Sequence, residues 1–360
     1  MKKILLFSFL FFMCISNCHA STQTAYEYIL MDQTTGRVIE GKNYNTPMLI
    51  ASITKIMTAV IAIESNKLDD IITVDETVLK SYGSGIYIEV GEELTLRDLL
   101  YGLMLRSGND AAMMIAKYVG GSIEDFVKQM NNKAHDIGMT NTIFNNPSGL
   151  DNTDSGNYST AYDMAILTKY AMKYKEYRDI VKTKSYTLKT NKKTYIWKNK
   201  NKLLNYDYIT GGKTGYTEKA KRTLVSTASY NNMDFIVVTI KDSDDWNTHL
   251  DLYEYAFNNY TSYKVLNKNK FNIIGDTYYN GTFYINNDVY IPLKNNETKS
   301  LISKITLEQL SNYKKGDLVG YNYIYLDTEL LYKENIYIDT DNKSKKIKNV
   351  FNYLKEILND

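Results

Sequence analysis

Ala51-Ser52-Ile53-Thr54-Lys55-Ile56-Met57-Thr58-Ala59-Val60-Ile61-Ala62-Ile63 places apolar side chains at 53, 56, 57, 60, 61 and 63, a face too wide for a helix lying on a surface. The stretch therefore predicts a helix buried in the core. Upstream, Tyr26 to Met31 alternates weakly and meets the turn signal Asp32-Gln33-Thr34-Thr35-Gly36 before Val38-Ile39, which reads as a β-hairpin. Downstream, Thr95 with Asp98, Ser122 with Asp125 and Thr160 with Asp163 have the spacing of capping boxes ahead of apolar segments, and Gly138 supplies a stop for the second. Beyond Lys213 the pattern returns to strands, Thr223 to Ala228 and Phe235 to Ile240, the latter rich in β-branched residues. Strand, helices, strands describes one α/β (α+β) domain over residues 21–257.

After Phe257 the style changes. Asn280-Gly281 marks a hairpin, and Val289-Tyr290-Ile291 and Tyr321-Asn322-Tyr323-Ile324-Tyr325 read as strands, so residues 262–340 form a small all-β domain. Ile347, Val350, Phe351, Leu354, Ile357 and Leu358 then follow helical spacing, with Lys343, Lys345, Lys346, Lys348 and Lys355 between them. Residues 343–360 thus predict a basic amphipathic helix, either docked on its own protein or, as export favours, attached to a membrane surface.

Export is read from the first twenty residues. Lys2 and Lys3 precede an apolar run from Ile4 to Ile15, and Cys18-His19-Ala20 offers a cleavage site, so residues 1–20 are expected to be a signal peptide. The run is short for the roughly 20 residues of a spanning helix, and Ile15-Ser16-Asn17 fits a lipidation signal poorly. Cys14 and Cys18 are the chain's two cysteines, so the mature protein is expected to have no disulfide and no cysteine-bound metal. His135 and His249 alone remain beyond the leader, which leaves a Ser-His-Asp hydrolase open but nearly excludes a zinc site of histidines. No metal or organic cofactor is expected. The composition, 44% hydrophobic and 23% charged, excludes disorder of the bulk, and 43 basic against 41 acidic residues argue against a nucleic-acid groove.

The chemistry is concentrated in Ser52-Ile53-Thr54-Lys55, which puts a hydroxyl at a helix start and an ammonium one turn on, on the same face. A serine needs a base to take its proton, and a desolvated lysine among other cations is neutral enough to serve. Alone the spacing is weak, since in a Lys-rich chain a capping serine beside a solvated lysine gives it by chance. Order raises the odds. Ser107-Gly108-Asn109 follows 55 residues later and Lys213-Thr214-Gly215 a further 106, the S-x-x-K, S-x-N, K-T-G series of penicillin-recognising serine enzymes.

With these residues the chain resembles the serine-type D-alanyl-D-alanine carboxypeptidases, the low-molecular-mass penicillin-binding proteins. Ala51 to Thr58, Asp98 to Met104, Ser107 to Ala111, Met130-Asn131, Asn146 to Leu150 and Gly212 to Thr217 look like that family's blocks in its order. The resemblance implies a serine β-lactamase/transpeptidase-like catalytic domain, followed by a β-domain and an amphipathic anchor. It implies that Ser52 attacks the carbonyl between two terminal D-alanines, that Lys55 accepts its proton, and that Ser107 relays a proton to the leaving D-alanine. Asn109 would hold the substrate amide while touching Lys55, and Lys213, Thr214, Gly215 and Tyr216 would form the substrate-binding strand. Lys213 would lend positive field to Ser107, and Thr214 would hydrogen-bond the carboxylate. The backbone N–H groups of Ser52 and Tyr216 would form the oxyanion hole.

Two departures qualify the resemblance. Lys221-Arg222 follows Ala220 where the family usually has glycine, a pair that either faces solvent or alters the cleft rim. Asp242-Ser243-Asp244-Asp245-Trp246 stands where some relatives carry a carboxylate-binding arginine, so Lys213 and Thr214 are expected to hold the carboxylate alone. A class A β-lactamase shares the motifs, but no glutamate lies between Glu124 and Glu176 to deacylate it. The expectation is an exported, membrane-associated serine carboxypeptidase at the outer face of the bacterial cytoplasmic membrane and the cell wall. It would trim the terminal D-alanine from peptidoglycan stem pentapeptides and be acylated by β-lactam antibiotics. A D-alanyl endopeptidase and a non-catalytic wall-binding scaffold are the alternatives.

Overall fold

The computed structural model describes residues 24–152, 155–279 and 281–341, so the leader at 1–20 and the amphipathic segment at 343–360 lie outside the described residues. Glu27–Asp32 (β1) and Val38–Lys42 (β2) form the expected hairpin; Met48–Leu49 (β3) leads through a tight turn at Ala51–Thr54 into Lys55–Glu64 (α1). Ile71–Thr73 (β4) pairs with Glu93–Thr95 (β5), and the helices Leu96–Tyr101 (α2), Asn109–Gly120 (α3) and Ile123–Asp136 (α4) follow. Tyr158–Ser159 (β6) pairs with β3, and Ala161–Ala171 (α5) and Lys175–Lys182 (α6) precede a hairpin of Ser185–Lys189 (β7) and Thr194–Lys198 (β8). Three long strands, Ile209–Thr217 (β9), Lys221–Tyr230 (β10) and Met233–Ile240 (β11), and the helix Asp245–Asn259 (α7) complete this part.

The five long strands form one antiparallel sheet in the order β2-β1-β11-β10-β9. Alternation along a strand sends successive side chains to opposite faces. Ile29 and Met31 of β1 and Ile236, Val238 and Ile240 of β11 enter the core under α1 to α6, whereas Leu30, Phe235 and Val237 enter the core under α7. The sheet is thus covered on both faces. Helix α1 runs through the larger core with every residue from Lys55 to Ile63 buried, as its wide apolar face predicts. The three hydroxyl caps also form: Thr95, Ser122 and Thr160 accept the backbone N–H three residues on.

Beyond α7, Thr261–Leu266 (β12) pairs with Val289–Leu293 (β14) around a third core of Phe283, Ile291, Val319, Ile324 and Ile336. Phe283–Tyr284 (β13), Leu301–Leu307 (β15), Leu318–Leu326 (β16) and Glu329–Ile338 (β17) form a sheet in the order β13-β17-β16-β15. Asn280 lies outside the described residues; the segments on either side of it meet at an antiparallel bridge between Phe271 and Phe283, and β13 also pairs with β17, distant in sequence. Arg37 and Glu297 form an ion pair between the β1–β2 turn region and this β-rich part.

Candidate active site

Ser52 sits in the tight turn that feeds α1, the most completely buried helix among the described residues. The turn is strained. Ala51 has φ +47°, in the left-handed region that costs a residue with a Cβ about 1–3 kcal/mol. A second constraint comes from Gly149, where a Cβ would lie 1.9 Å from the Ala51 carbonyl oxygen, so only glycine lets the 146–150 loop close against the Ser52 turn.

Lys55 is completely buried, and its Nζ is 3.0 Å from Ser52 Oγ, 2.7 Å from Asn109 Oδ1 and within hydrogen-bond reach of the Ser148 carbonyl oxygen. Burial holds its proton affinity well below the usual lysine range, the charges of Lys213 and Lys200 push it the same way, and Asp110 opposes them. Asn109 is fixed in the orientation this contact needs: its Nδ2 donates to the Tyr82 carbonyl at 2.6 Å, and its backbone N–H donates to the Ser84 carbonyl at 2.7 Å. Asp110 accepts from the backbone N–H groups of Ile86 and Tyr87, tying the same 82–88 segment to α3. Asn146 Oδ1 accepts from the backbone N–H groups of Ser148 and Gly149, which shapes the loop that presents the Ser148 carbonyl.

Ser107 sits between α2 and α3 at φ +66°, again left-handed for a residue with a side chain. Lys213 Nζ donates to its Oγ at 3.1 Å and to the Thr214 carbonyl at 2.6 Å. Lys213 is 1% exposed, and burial, with Lys200 adding to it, brings its pKa down to about 7. Strand β9 carries it past Ser52 at close range. A Cβ on Gly215 would lie 2.9 Å from the Ser52 backbone nitrogen and 2.4 Å from Thr223 Oγ1, so a side chain there would push the strand off the turn. Thr223 Oγ1 donates to the Ile50 carbonyl at 3.0 Å and pins β10 to the same turn.

All eight residues singled out in the sequence gather here. Ser52, Ser107, Thr214, Gly215 and Tyr216 line a cleft of about 290 Å³, while Lys55, Asn109 and Lys213 are buried around it. Five further residues line the cleft that the motifs do not name: Ser84, Lys200, Arg222, Asp245 and Trp246. For Ser84 and Lys200 the sequence holds no signal, since neither belongs to a spaced motif. The Lys221-Arg222 pair divides between its two readings: Lys221 is exposed at φ +61°, whereas Arg222 turns into the cleft and pairs with Asp245 at 2.5 Å.

The histidine alternative falls for His249. His249 Nδ1 is 2.6 Å from Ser226 Oγ, but both residues are fully buried between the sheet and α7, and burial brings the imidazole pKa down to about 3. A hydroxyl with no path to solvent cannot reach a substrate, so this pair is part of the core. Among the described residues, no three His, Cys, Asp or Glu side chains group as a metal site requires.

Residues 15–244 match the D-alanyl-D-alanine carboxypeptidase family, and residues 260–356 match the penicillin-binding protein 5 C-terminal domain. The chain is similar to D-alanyl-D-alanine carboxypeptidase DacF of Bacillus subtilis (strain 168), 36% identical over 252 residues, or 67% of this chain and 64% of that one. It is similar to DacA of Haemophilus influenzae, 30% identical over 264 residues, or 69% and 65%. It thus spans just under two thirds of the length of these two relatives. Among solved structures, penicillin binding protein 5 from Haemophilus influenzae superposes with a TM-score of 0.71 at 26% identity, covering 89% of this chain and 97% of that one.

Proposed function

The chain belongs to the D-alanyl-D-alanine carboxypeptidase family, and from that premise we propose that it removes the terminal D-alanine from peptidoglycan stem peptides through an ester on Ser52, and that β-lactams acylate the same oxygen. The observation that carries this reading is the surroundings of Lys55. A neutral amine has two N–H groups and one lone pair. Asn109 Oδ1 at 2.7 Å and the Ser148 carbonyl can only accept, so they take the two N–H groups and leave the lone pair for the Ser52 hydroxyl at 3.0 Å. Burial among cations supplies the neutral form.

In the proposed sequence Ser52 Oγ gives its proton to Lys55 and attacks the carbonyl of the penultimate D-alanine. The oxyanion is held by the N–H groups of Ser52 and Tyr216, a role supported by the close passage of Gly215 along the Ser52 nitrogen. The proton on Lys55 then passes through Ser107 to the departing amine as the C–N bond breaks, and Lys213, in contact with Ser107, stabilises the charge that develops. Asn109 holds the substrate amide, and Thr214 faces its carboxylate. Water cleaves the ester and restores Ser52, activated either by Lys55 or by a Ser107-assisted path.

The test is direct. Protein lacking residues 1–20 is expected to release D-alanine from diacetyl-L-Lys-D-Ala-D-Ala and to gain the mass of one penicillin. A folded protein that does neither would overturn the reading and favour a wall-binding scaffold. Cleavage of cross-linked dimers in preference to this peptide would make it an endopeptidase.

The same reading places the enzyme outside the cytoplasmic membrane, exported by residues 1–20 and held at the surface by the basic amphipathic segment 343–360, a proposal that rests on the lysine and apolar spacing there. Among the described residues no helix is long and apolar enough to cross a membrane. Deleting residues 343–360 is expected to move the protein from the membrane fraction to the soluble fraction with D-alanine release unchanged. Continued sedimentation with membranes would reject the attachment.

A further inference from the structure

A substrate ending in D-Ala-D-Ala brings a carboxylate into the cleft one residue beyond the bond to be cut, and the cations near that point are not equivalent. Lys55 is committed to Ser52, Asn109 and Ser148. Lys213 donates to Ser107 and to the Thr214 carbonyl, and burial lowers its hold on its proton. Lys200 is likewise held below the usual lysine range by burial and by Arg106. Arg222 differs from all three, because a guanidinium keeps its charge and offers five N–H donors.

The strand register brings Arg222 to the right place. It stands directly opposite Tyr216 across the β9–β10 pair, and directly opposed residues of an antiparallel pair share one face with side chains about 5 Å apart. Thr214, two residues back along β9, is on that face too. The guanidinium is held in place by two neighbours on the cleft wall: Asp245, 2% exposed at the start of α7, accepts from Nη2 at 2.5 Å, and the Trp246 ring lies 5.4 Å from Cζ. Of its five N–H groups the one on Nε is buried without a partner. A guanidinium lining the cleft, clamped by a carboxylate and an indole and still carrying an unsatisfied N–H, is prepared for a second carboxylate.

We propose that Arg222 is the specificity-determining anchor for the substrate's terminal carboxylate, and for the corresponding carboxylate of β-lactams, with Asp245 and Trp246 as positioning residues. This rests on the carboxypeptidase reading and changes one part of it: the carboxylate is held by Arg222 with Thr214, not by Lys213 and Thr214 alone. The acidic stretch at 242–245 then has a use, since its last carboxylate orients the arginine that the neighbouring strand provides.

The experiment compares diacetyl-L-Lys-D-Ala-D-Ala with its C-terminal amide, which presents the same scissile bond without the charge. Arg222→Gln is expected to raise KM for the acid about 10- to 100-fold, the loss of a charge-assisted hydrogen bond. Both its kcat for the acid and its constants for the amide are expected to stay close to wild type. Arg222→Lys should recover part of the loss. Removing the arginine strands the buried Asp245 carboxylate, so R222Q/D245N, which removes both charges together, is measured alongside and is expected to show the same collapse of acid-over-amide preference. An unchanged KM for the acid, or an equal loss on acid and amide in both variants, would overturn the anchor. A wild type that turns over neither peptide would instead remove the carboxypeptidase reading, so the two failures are distinct.

Discussion

Ser52→Ala is expected to release no D-alanine above background, a loss of about 10⁴-fold or more, and to take up no penicillin by intact mass. The size follows from the role: with no oxygen to acylate, the remaining donors of the cleft can polarise a carbonyl but cannot form the ester. Folding should be nearly untouched. The Ser52 hydroxyl pairs with Lys55 Nζ, which keeps its other two acceptors, Asn109 Oδ1 and the Ser148 carbonyl. Thermal midpoints within a few degrees of wild type would therefore separate lost chemistry from lost structure. Ser226→Ala makes the opposite control. It removes the hydroxyl hydrogen-bonded to His249 and Tyr253 in the closed core, so it should lower stability while Ser52 is acylated as before. Retained turnover in Ser52→Ala would mean that another oxygen is the nucleophile, and the mechanism proposed here would fail.

Much of this arrangement was legible because it is local. The turn before α1, the hydroxyl caps and the alternation of β1 and β11 are set by residues within a few positions of one another, and periodicity reads them directly. The hairpin β7–β8 alternates only in part, Tyr186 and Leu188 with polar neighbours but Tyr195 and Trp197 around an exposed Ile196, and alternation does not say what such a hairpin covers. In the structure Tyr186 stacks on Tyr101 with ring centroids 3.8 Å apart, a contact between distant segments. The cleft divides in the same way. Motif spacing found the serines, lysines and asparagine, whereas the Ser148 carbonyl is backbone and leaves no trace in residue identity. Arg222 and Asp245 were each visible as a departure. What the sequence did not hold was that they meet, because that depends on β10 and the start of α7 being brought together by folding.

Lys55→Arg should abolish acylation almost as fully as Lys55→Met, each by about 10²- to 10⁴-fold, the range for losing a general base. The pair of variants separates two roles that one lysine can play. Arginine keeps a positive charge and enough N–H groups for Asn109 Oδ1 and the Ser148 carbonyl, but it has no lone pair to take the Ser52 proton. If Lys55 acted only by its charge, Lys55→Arg would retain most activity, and the base assignment would be lost. Methionine tests the cost of burial. The folded state lowers the proton affinities of Lys55 and Lys213, so it binds fewer protons than the unfolded chain, and stability climbs with pH, for Lys213 between about 7 and the ordinary lysine value of 10.5. Lys55→Met removes one of the two amines that bind a proton more weakly in the folded state and should flatten that climb. The same electrostatics shape the rate. In the proposed mechanism acylation needs Lys55 neutral and Lys213 charged, a state with one proton on the pair, so the second-order acylation constant should be bell-shaped in pH. Its rising limb is the deprotonation of Lys55 and its falling limb that of Lys213 near 7. Lys213→Arg, which cannot lose its charge, should remove the falling limb and leave the rising one. A falling limb that persists in Lys213→Arg would place that titration on another group.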